Sequence, residues 1–243
     1  CYDDKNLKLL INRIKNRDIL TYSIKNKKAD VLIFDIIQNK LKTSFKLKIK
    51  NKIIHSSNYK FTINAIGSHN ILNATASIVA AKLNGIKNKD INNALINYVG
   101  VKRRFSFIGK KNKSFVYDDY AHHPTEIAAT LSAAKSLKNK VIVVFQPHRY
   151  TRTKILIREF IKVLSKVDYL FLLETYSAGE KIIKGATSKD IYSKILKKNK
   201  NTIYLKNIGD LNKLMKPYTL HQNTIVFMGA GSISSIAKKY LNN

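Results

Sequence analysis

Two short stretches hold most of the side chains able to do chemistry in this 243-residue chain: DDYAHHPTE at 118–126 and QPHRYTRT at 146–153. In the first, Asp118 and Asp119 close an apolar run, and His122 and His123 precede Pro124. Adjacent side chains diverge, and there is no HExxH or cysteine partner, so no metal ligand is assigned. Asp119 or His123 is placed to cap a helix opening at Pro124. A carboxylate ending a strand is also placed to accept hydrogen bonds from ribose hydroxyls. In the second stretch, Arg149 and Arg152 stand three apart at the start of a helix. Two guanidinium forks and the positive helix end suit a carboxylate or a phosphate. Surface ion pairs are the competing reading.

Two weaker signals accompany them. HNILN at 69–73 puts His69, Asn70 and Asn73 on the first turn of a helix. An Asn amide both donates and accepts, so it can read an adenine edge; a capped core helix is the alternative. GAGS at 229–232 falls short of GxGxxG and reads as a tight turn.

The elements that must position these residues fall into two rhythms. Residues 4–16 read as a short amphipathic helix, and 20–66 alternate as half-buried antiparallel strands. An apolar helix over 69–84 ends at Gly85, and a second covers 88–98 with Asn88 as candidate N-cap. GVKRRF at 100–105 marks a boundary, dividing the chain into 1–99 and 100–243. Beyond it, short apolar runs at 114–119, 140–146, 168–174, 202–205 and 224–228 alternate with helical stretches at 124–138, 151–166, 187–198 and 232–241. That alternation predicts an α/β fold with a mainly parallel sheet covered on both faces. Ligands bind such sheets at the carboxyl ends of the strands, where both motifs fall.

Composition narrows the function. The net charge of +30 comes from 45 Lys and Arg against 15 Asp and Glu, but the lysines are scattered, as in an AT-rich genome. Solvated lysine faces account for this charge, and a nucleic-acid partner is not expected. Arginine is the scarcer cation, and four arginines form two pairs, Arg103/Arg104 and Arg149/Arg152. No run of about 18 apolar residues appears, so no membrane span is expected. A single cysteine excludes internal disulfides and fits a reducing cytoplasm. Because the chain opens on Cys1 rather than Met, it is expected to be a piece of a longer protein.

SHNILNATASIVAAKLNG, GVKRRF, DDYAHHPTEIAATL, FQPHRYTRT, LLETYSAGE and MGAGSI, in this order, resemble the muramyl ligase family over nearly the whole chain. DYAH is shared by several members; DDYAHHPTE together with QPHRYTRT resembles the alanine-adding branch. The resemblance implies a Rossmann-like carboxyl-terminal ligase domain over 100–243, preceded over 1–99 by the end of a central ATP-binding domain. It implies ATP-dependent joining of L-alanine to UDP-N-acetylmuramate through an acyl phosphate, in cytoplasmic peptidoglycan precursor synthesis. ATP and Mg²⁺ are the implied cofactors, with the metal's ligands expected mainly in amino-terminal domains that this sequence lacks. His69, Asn70, Asn73, Arg103, Arg104 and Asp119 match the ATP-contacting positions. Tyr120, His122, His148, Arg149 and Arg152 match the pocket for alanine and the acyl phosphate, with His122, Arg149 and Arg152 as the catalytic set. No covalent nucleophile is required. The GxxGKT phosphate loop is absent, so activity of the chain alone is not expected. The alternatives are a non-catalytic remnant, a ligase recycling murein tripeptide and, remotely, a basic nucleic-acid-binding protein.

Overall fold

The computed structural model describes residues 1–39, 41–50 and 59–242, so the part of the alternating region at 51–58 lies outside the described residues. The chain forms two compact units, Cys1–Gly100 and Val101–Asn243.

In the first unit, Asp4 Oδ1 accepts from the amides of Asn6 and Leu7 and so opens helix α1, Lys5–Ile11. The helix is shorter than predicted: none of its residues is buried, so no apolar face extends it. Strands β1 (Tyr22–Ser23), β2 (Val31–Asn39), β3 (Lys42–Ile49) and β4 (Tyr59–Ile63) lie side by side in that order. The β2–β3 and β3–β4 pairs are antiparallel, as the alternation predicts. β1 instead runs parallel to β2, where Asp30 accepts from both the amide and the hydroxyl of Thr21. The apolar face of the sheet, with Val31, Ile33, Phe45, Leu47 and Phe61, packs on helices α2 (Ser68–Leu83) and α3 (Asn88–Ile96). At the end of α2 the amides of Gly85 and Ile86 return to the carbonyls of Lys82 and Ala81, the predicted cap. The predicted cap at Asn88 needs correction. Lys87 flanks α3, and Asn88 is its first helical residue, its Oδ1 accepting from Lys82 Nζ at 2.8 Å.

The second unit follows the predicted alternation: β6 (Ser114–Asp119), α4 (Pro124–Lys135), β7 (Val141–Phe145), α5 (Tyr150–Leu164), β8 (Tyr169–Leu173), α6 (Ser188–Ile195), β9 (Thr202–Leu205), β10 (Thr224–Met228) and α8 (Ile233–Asn242). Among the described residues, three elements lie outside that alternation. One is a short 3-10 turn at Ile208–Asp210. β5 (Ser106–Lys111) is an antiparallel edge strand on β6, broken by an irregularity between Phe107 and Gly109 that hides its period. α7 (Leu211–Thr219) carries Pro217 inside it, a residue that argues against helix, yet its Leu211 and Met215 are buried in the core.

The sheet order is β5-β6-β10-β7-β8-β9, and every pair except β5–β6 is parallel. All residues of β7 and β10 are buried, as central parallel strands require. One face, with Val144, Phe171, Ile225 and Phe227, packs on α7 and α8. On the other face Phe145 meets Phe160 of α5 at 5.8 Å, and Ile127 and Leu131 of α4 are buried. The last strand, β10, inserts between β6 and β7. The carboxyl ends of the strands bearing DDYAHHP and QPHRYTRT thereby flank the GAGS turn. Phe227 lies fully buried at the centre of this arrangement. Phe227→Ala is expected to cost about 3–5 kcal/mol in urea unfolding, whereas Ile155→Ala, at a residue 76% exposed, should stay within about 0.5 kcal/mol.

Candidate active site

Asp119 organises the rim. It is 4% exposed, and its Oδ2 accepts from the Phe105 amide and the Thr130 hydroxyl, both at 2.9 Å. Its Oδ1 accepts from the Ala121 amide at 2.7 Å. One carboxylate thus joins the strand before α4, the interior of α4 and the segment leading into β5. Burial pushes its pKa up, against the pull of these hydrogen bonds and of the Arg104 charge. A ribose hydroxyl could use only the remaining lone pair of Oδ1. Beside it, Asp118 accepts from Ser234 at 2.5 Å and lies 3.7 Å from Arg103 Nε. Arg103 also donates to the Gly229 carbonyl at 2.7 Å. Both arginines of GVKRRF approach Tyr120, with Arg103 at 4.7 Å and Arg104 at 5.8 Å from its ring centre.

The two adjacent histidines separate in role. His123 Nδ1 accepts from the Thr125 amide at 3.3 Å, and Glu126 returns to the amides of His123 and His122. His123, not Asp119, therefore caps α4, and Pro124 takes its first position. His122 instead stands edge-on to Tyr120, with ring centroids 5.1 Å apart, and 6.1 Å from His148. His148 stacks flat on Tyr176 at 5.4 Å. Four rings from the segments after β6, β7 and β8 thus follow one another along the carboxyl edge.

The cationic end of this row is tightly held. Arg152 Nη1 lies 3.3 Å from His148 Nδ1 and 3.4 Å from the His148 carbonyl. The Arg149 amide donates to the Tyr176 carbonyl, and the Tyr176 amide to the Pro147 carbonyl, continuing the β7–β8 pairing past the strand ends. Those bonds hold Arg149 at φ 72, a left-handed conformation that stores backbone strain. Glu180 accepts from Arg149 Nε at 2.9 Å and from both the amide and the hydroxyl of Thr151. Burial pushes the His148 pKa down, and the charges of Arg152, His122 and Arg149 act in the same direction. The neutral form of His148 is thereby favoured, with Glu180 acting in the opposite sense. The GAGS turn closes the floor. A Cβ on Gly231 would come within 2.6 Å of the Tyr176 ring and 2.8 Å of Gln146 Oε1.

Tyr120, His122, His148, Arg149, Arg152, Arg103, Arg104 and Asp119 therefore share one edge of the second unit. His69, Asn70 and Asn73 lie in the first unit at the start of α2. There Asn70 Nδ2 donates to the Ile66 carbonyl at 2.8 Å, and Asn73 is exposed. Among the described residues, no three or more His, Cys, Asp or Glu side chains are grouped to hold a metal ion. Nor, among them, is any helix long and apolar enough to cross a membrane.

Residues 103–231 match the model of the Mur ligase glutamate ligase domain. Residues 1–81 match that of the Mur ligase middle domain. The chain belongs to the Mur ligase family. Curated relatives include the UDP-N-acetylmuramate–L-alanine ligases of Wigglesworthia glossinidia brevipalpis, 39% identical over 98% of this chain and 52% of that protein, and of Rickettsia typhi, 36% identical over 98% and 50%. The chain spans about half the length of the curated relatives it matches. Among solved structures, the UDP-N-acetylmuramate–alanine ligase of Thermotoga maritima superposes with a TM-score of 0.74 at 26% identity, over 92% of this chain and 47% of that one.

In this Mur ligase chain, sequence reasoning gave no role to Tyr176 or Glu180. Both lie in the TYSAGE stretch after β8. A loop Glu two elements away from an arginine carries no local signal of pairing; only its place on the same sheet edge did, and that required knowing the strand order.

Two outcomes check this geometry. The Glu126 carboxyl is pushed up by burial, but the amides of His122 and His123 and the His122 charge outweigh this and leave it below its ordinary 4.5. A depressed carboxylate stabilises the fold above its unfolded pKa, and the effect disappears as pH falls through the folded one. Glu126→Gln is accordingly expected to lower the urea midpoint at about pH 7, with the gap to wild type closing in acid. A gap of constant size down to acid pH would contradict the cap. Gly231→Ala is expected to drive Tyr176 off His148, seen as loss of the ring-current shifts of the His148 protons in NMR spectra.

Proposed function

We propose that this chain supplies the amino-acid-binding half of an ATP-dependent ligase that joins L-alanine to UDP-N-acetylmuramate. The observation that carries this reading is the match to ligases of that name across 98% of the chain. The Arg149–Arg152 pair on the rim supports it. The α-carboxylate of L-alanine lies between these guanidinium groups, which offer charge-assisted, directional hydrogen bonds. Glu180 and the backbone bonds to Tyr176 fix Arg149 before substrate arrives, so little ordering remains on binding. The same cations offset charge on an acyl phosphate and on the oxyanion formed when the amine attacks it. Phosphate then leaves and the amide remains.

For ATP, Asn70 and Asn73 are proposed to face the base. Arg104, with Arg103 behind it, meets the nucleotide, and Asp119 offers its one remaining lone pair to a ribose hydroxyl. A Mg²⁺ ion bound with ATP would shield phosphate charge. Both oxygens of Asp119 and Oδ2 of Asp118 are bound by internal donors, and Asp118 Oδ1 is buried; neither residue fits as a ligand of the ion, so no step is derived through the metal.

The test joins this chain to the amino-terminal half of the Wigglesworthia relative and measures phosphate release with ATP, UDP-N-acetylmuramate and L-alanine. Release that needs all three is expected from the fusion, and none from the chain alone, which has no GxxGKT loop. In the fusion, Arg149→Ala should raise KM for L-alanine by about 10–100-fold or abolish turnover, the loss of a charged hydrogen-bond pair. Unchanged kinetics would remove the carboxylate pocket from this rim.

A further inference from the structure

His122 and His148 each make one hydrogen bond whose partner can act in only one sense. His122 Nδ1 lies 2.9 Å from the Tyr120 carbonyl oxygen. A carbonyl only accepts, so Nδ1 carries the proton. Glu126 Oε2, 3.6 Å from the same nitrogen, favours that choice. A neutral His122 therefore has its lone pair on Nε2. At His148 the partner of Nδ1 is Arg152 Nη1, at 3.3 Å. A guanidinium only donates, so Nδ1 is the acceptor and the neutral ring carries its proton on Nε2.

We propose that these two imidazoles form a split pair of opposite tautomers, in which His122 Nε2 takes a proton from the ammonium of the amino-acid substrate while His148 Nε2–H serves as a fixed donor to a substrate oxygen. The roles, though not the tautomers, rest on the ligase reading above. An ammonium has no lone pair and cannot attack an acyl carbon. Transfer of one proton from its nitrogen to His122 Nε2 leaves a neutral amine with its lone pair and an imidazolium, with no change in total charge. Glu126, held as a carboxylate, stands beside that imidazolium as the orienting group stands beside a general base. His148 does not compete for the proton, because burial and the neighbouring Arg152 and Arg149 oppose its charging. Other charged groups at this edge are Arg103 and Arg104 at Tyr120, Asp118 and Asp119 at the end of β6, Glu180 at Arg149, and Glu174 after β8, which accepts from the Tyr204 hydroxyl. The adjacent His123 is excluded, since its Nδ1 is engaged by the Thr125 amide.

The experiment is long-range proton–nitrogen NMR on the ¹⁵N-histidine-labelled chain at about pH 8, above the ordinary imidazole range of about 6.5. Signals are assigned by their loss in His122→Asn and His148→Asn. The expected result is a protonated Nδ1 at His122 and a protonated Nε2 at His148. Arg152→Met should convert His148 to a mixture of tautomers and leave His122 unchanged. A protonated Nε2 on His122, or one shared tautomer for both rings, overturns the proposal. In the fusion described above, His122→Asn should lower kcat by about 10²–10⁴-fold at neutral pH, with a much smaller change in KM for L-alanine. The deficit should shrink as pH rises and the free amine forms unaided; a deficit that is flat with pH refutes the proton-accepting role. An inactive wild-type fusion with the tautomers as assigned counts against the ligase reading, whereas an active fusion with reversed tautomers counts against this one.

Discussion

The Asp119 carboxylate ties three segments together at one buried point. The amide of Phe105, the amide of Ala121 and the hydroxyl of Thr130 all converge on it inside the protein. Phe105 sits at φ 47 and stacks on Tyr117 at 4.4 Å, so the carboxylate also fixes a backbone turn that an ordinary residue would avoid. That turn places Arg103 and Arg104 against Tyr120. The bond to Ala121 sets the direction in which the chain leaves β6, and hence where His122 stands. Removing the carboxylate would strand three buried donors, each costing about 1–3 kcal/mol, and would release both sides of the rim.

The charges on this edge act as a sorted set. Each acidic group near it is already engaged: Asp118 with Ser234 and Arg103, Glu126 with the cap of α4, Glu180 with Arg149 and Thr151. Arg104 and Arg152 remain with donors to offer. The edge is therefore suited to anions, and it is suited by fixed side chains rather than by the chain's diffuse excess of lysine. The strained Arg149 backbone and the flat Tyr176–His148 stack belong to the same arrangement. Both depend on continuing the β7–β8 pairing beyond the strands.

Membership of the Mur ligase family and coverage of about half of its alanine-adding relatives set the scale of what one chain can do. The second unit offers a preorganised anion edge and two imidazoles of fixed orientation. Side chains fixed in this way have little ordering left to lose when an anion binds.

The sequence by itself determined the parallel sheet of the second unit, most of its helices and the family. Long buried apolar runs and capping residues are set by local composition, because each answers to a strand period or a helix cap. β5 and α7 were not legible: a register irregularity erased the one's alternation, and core burial of Leu211 and Met215 overrode Pro217 in the other. The site was legible as a list and not as an arrangement. DDYAHHP presents its histidines as a pair, yet adjacency in the chain turns one toward the helix start and the other toward His148. Which two imidazoles face each other was decided by β10 entering between β6 and β7 and by the segment after β8 stacking Tyr176 on His148. Those are contacts between residues far apart in sequence, and no local pattern encodes them.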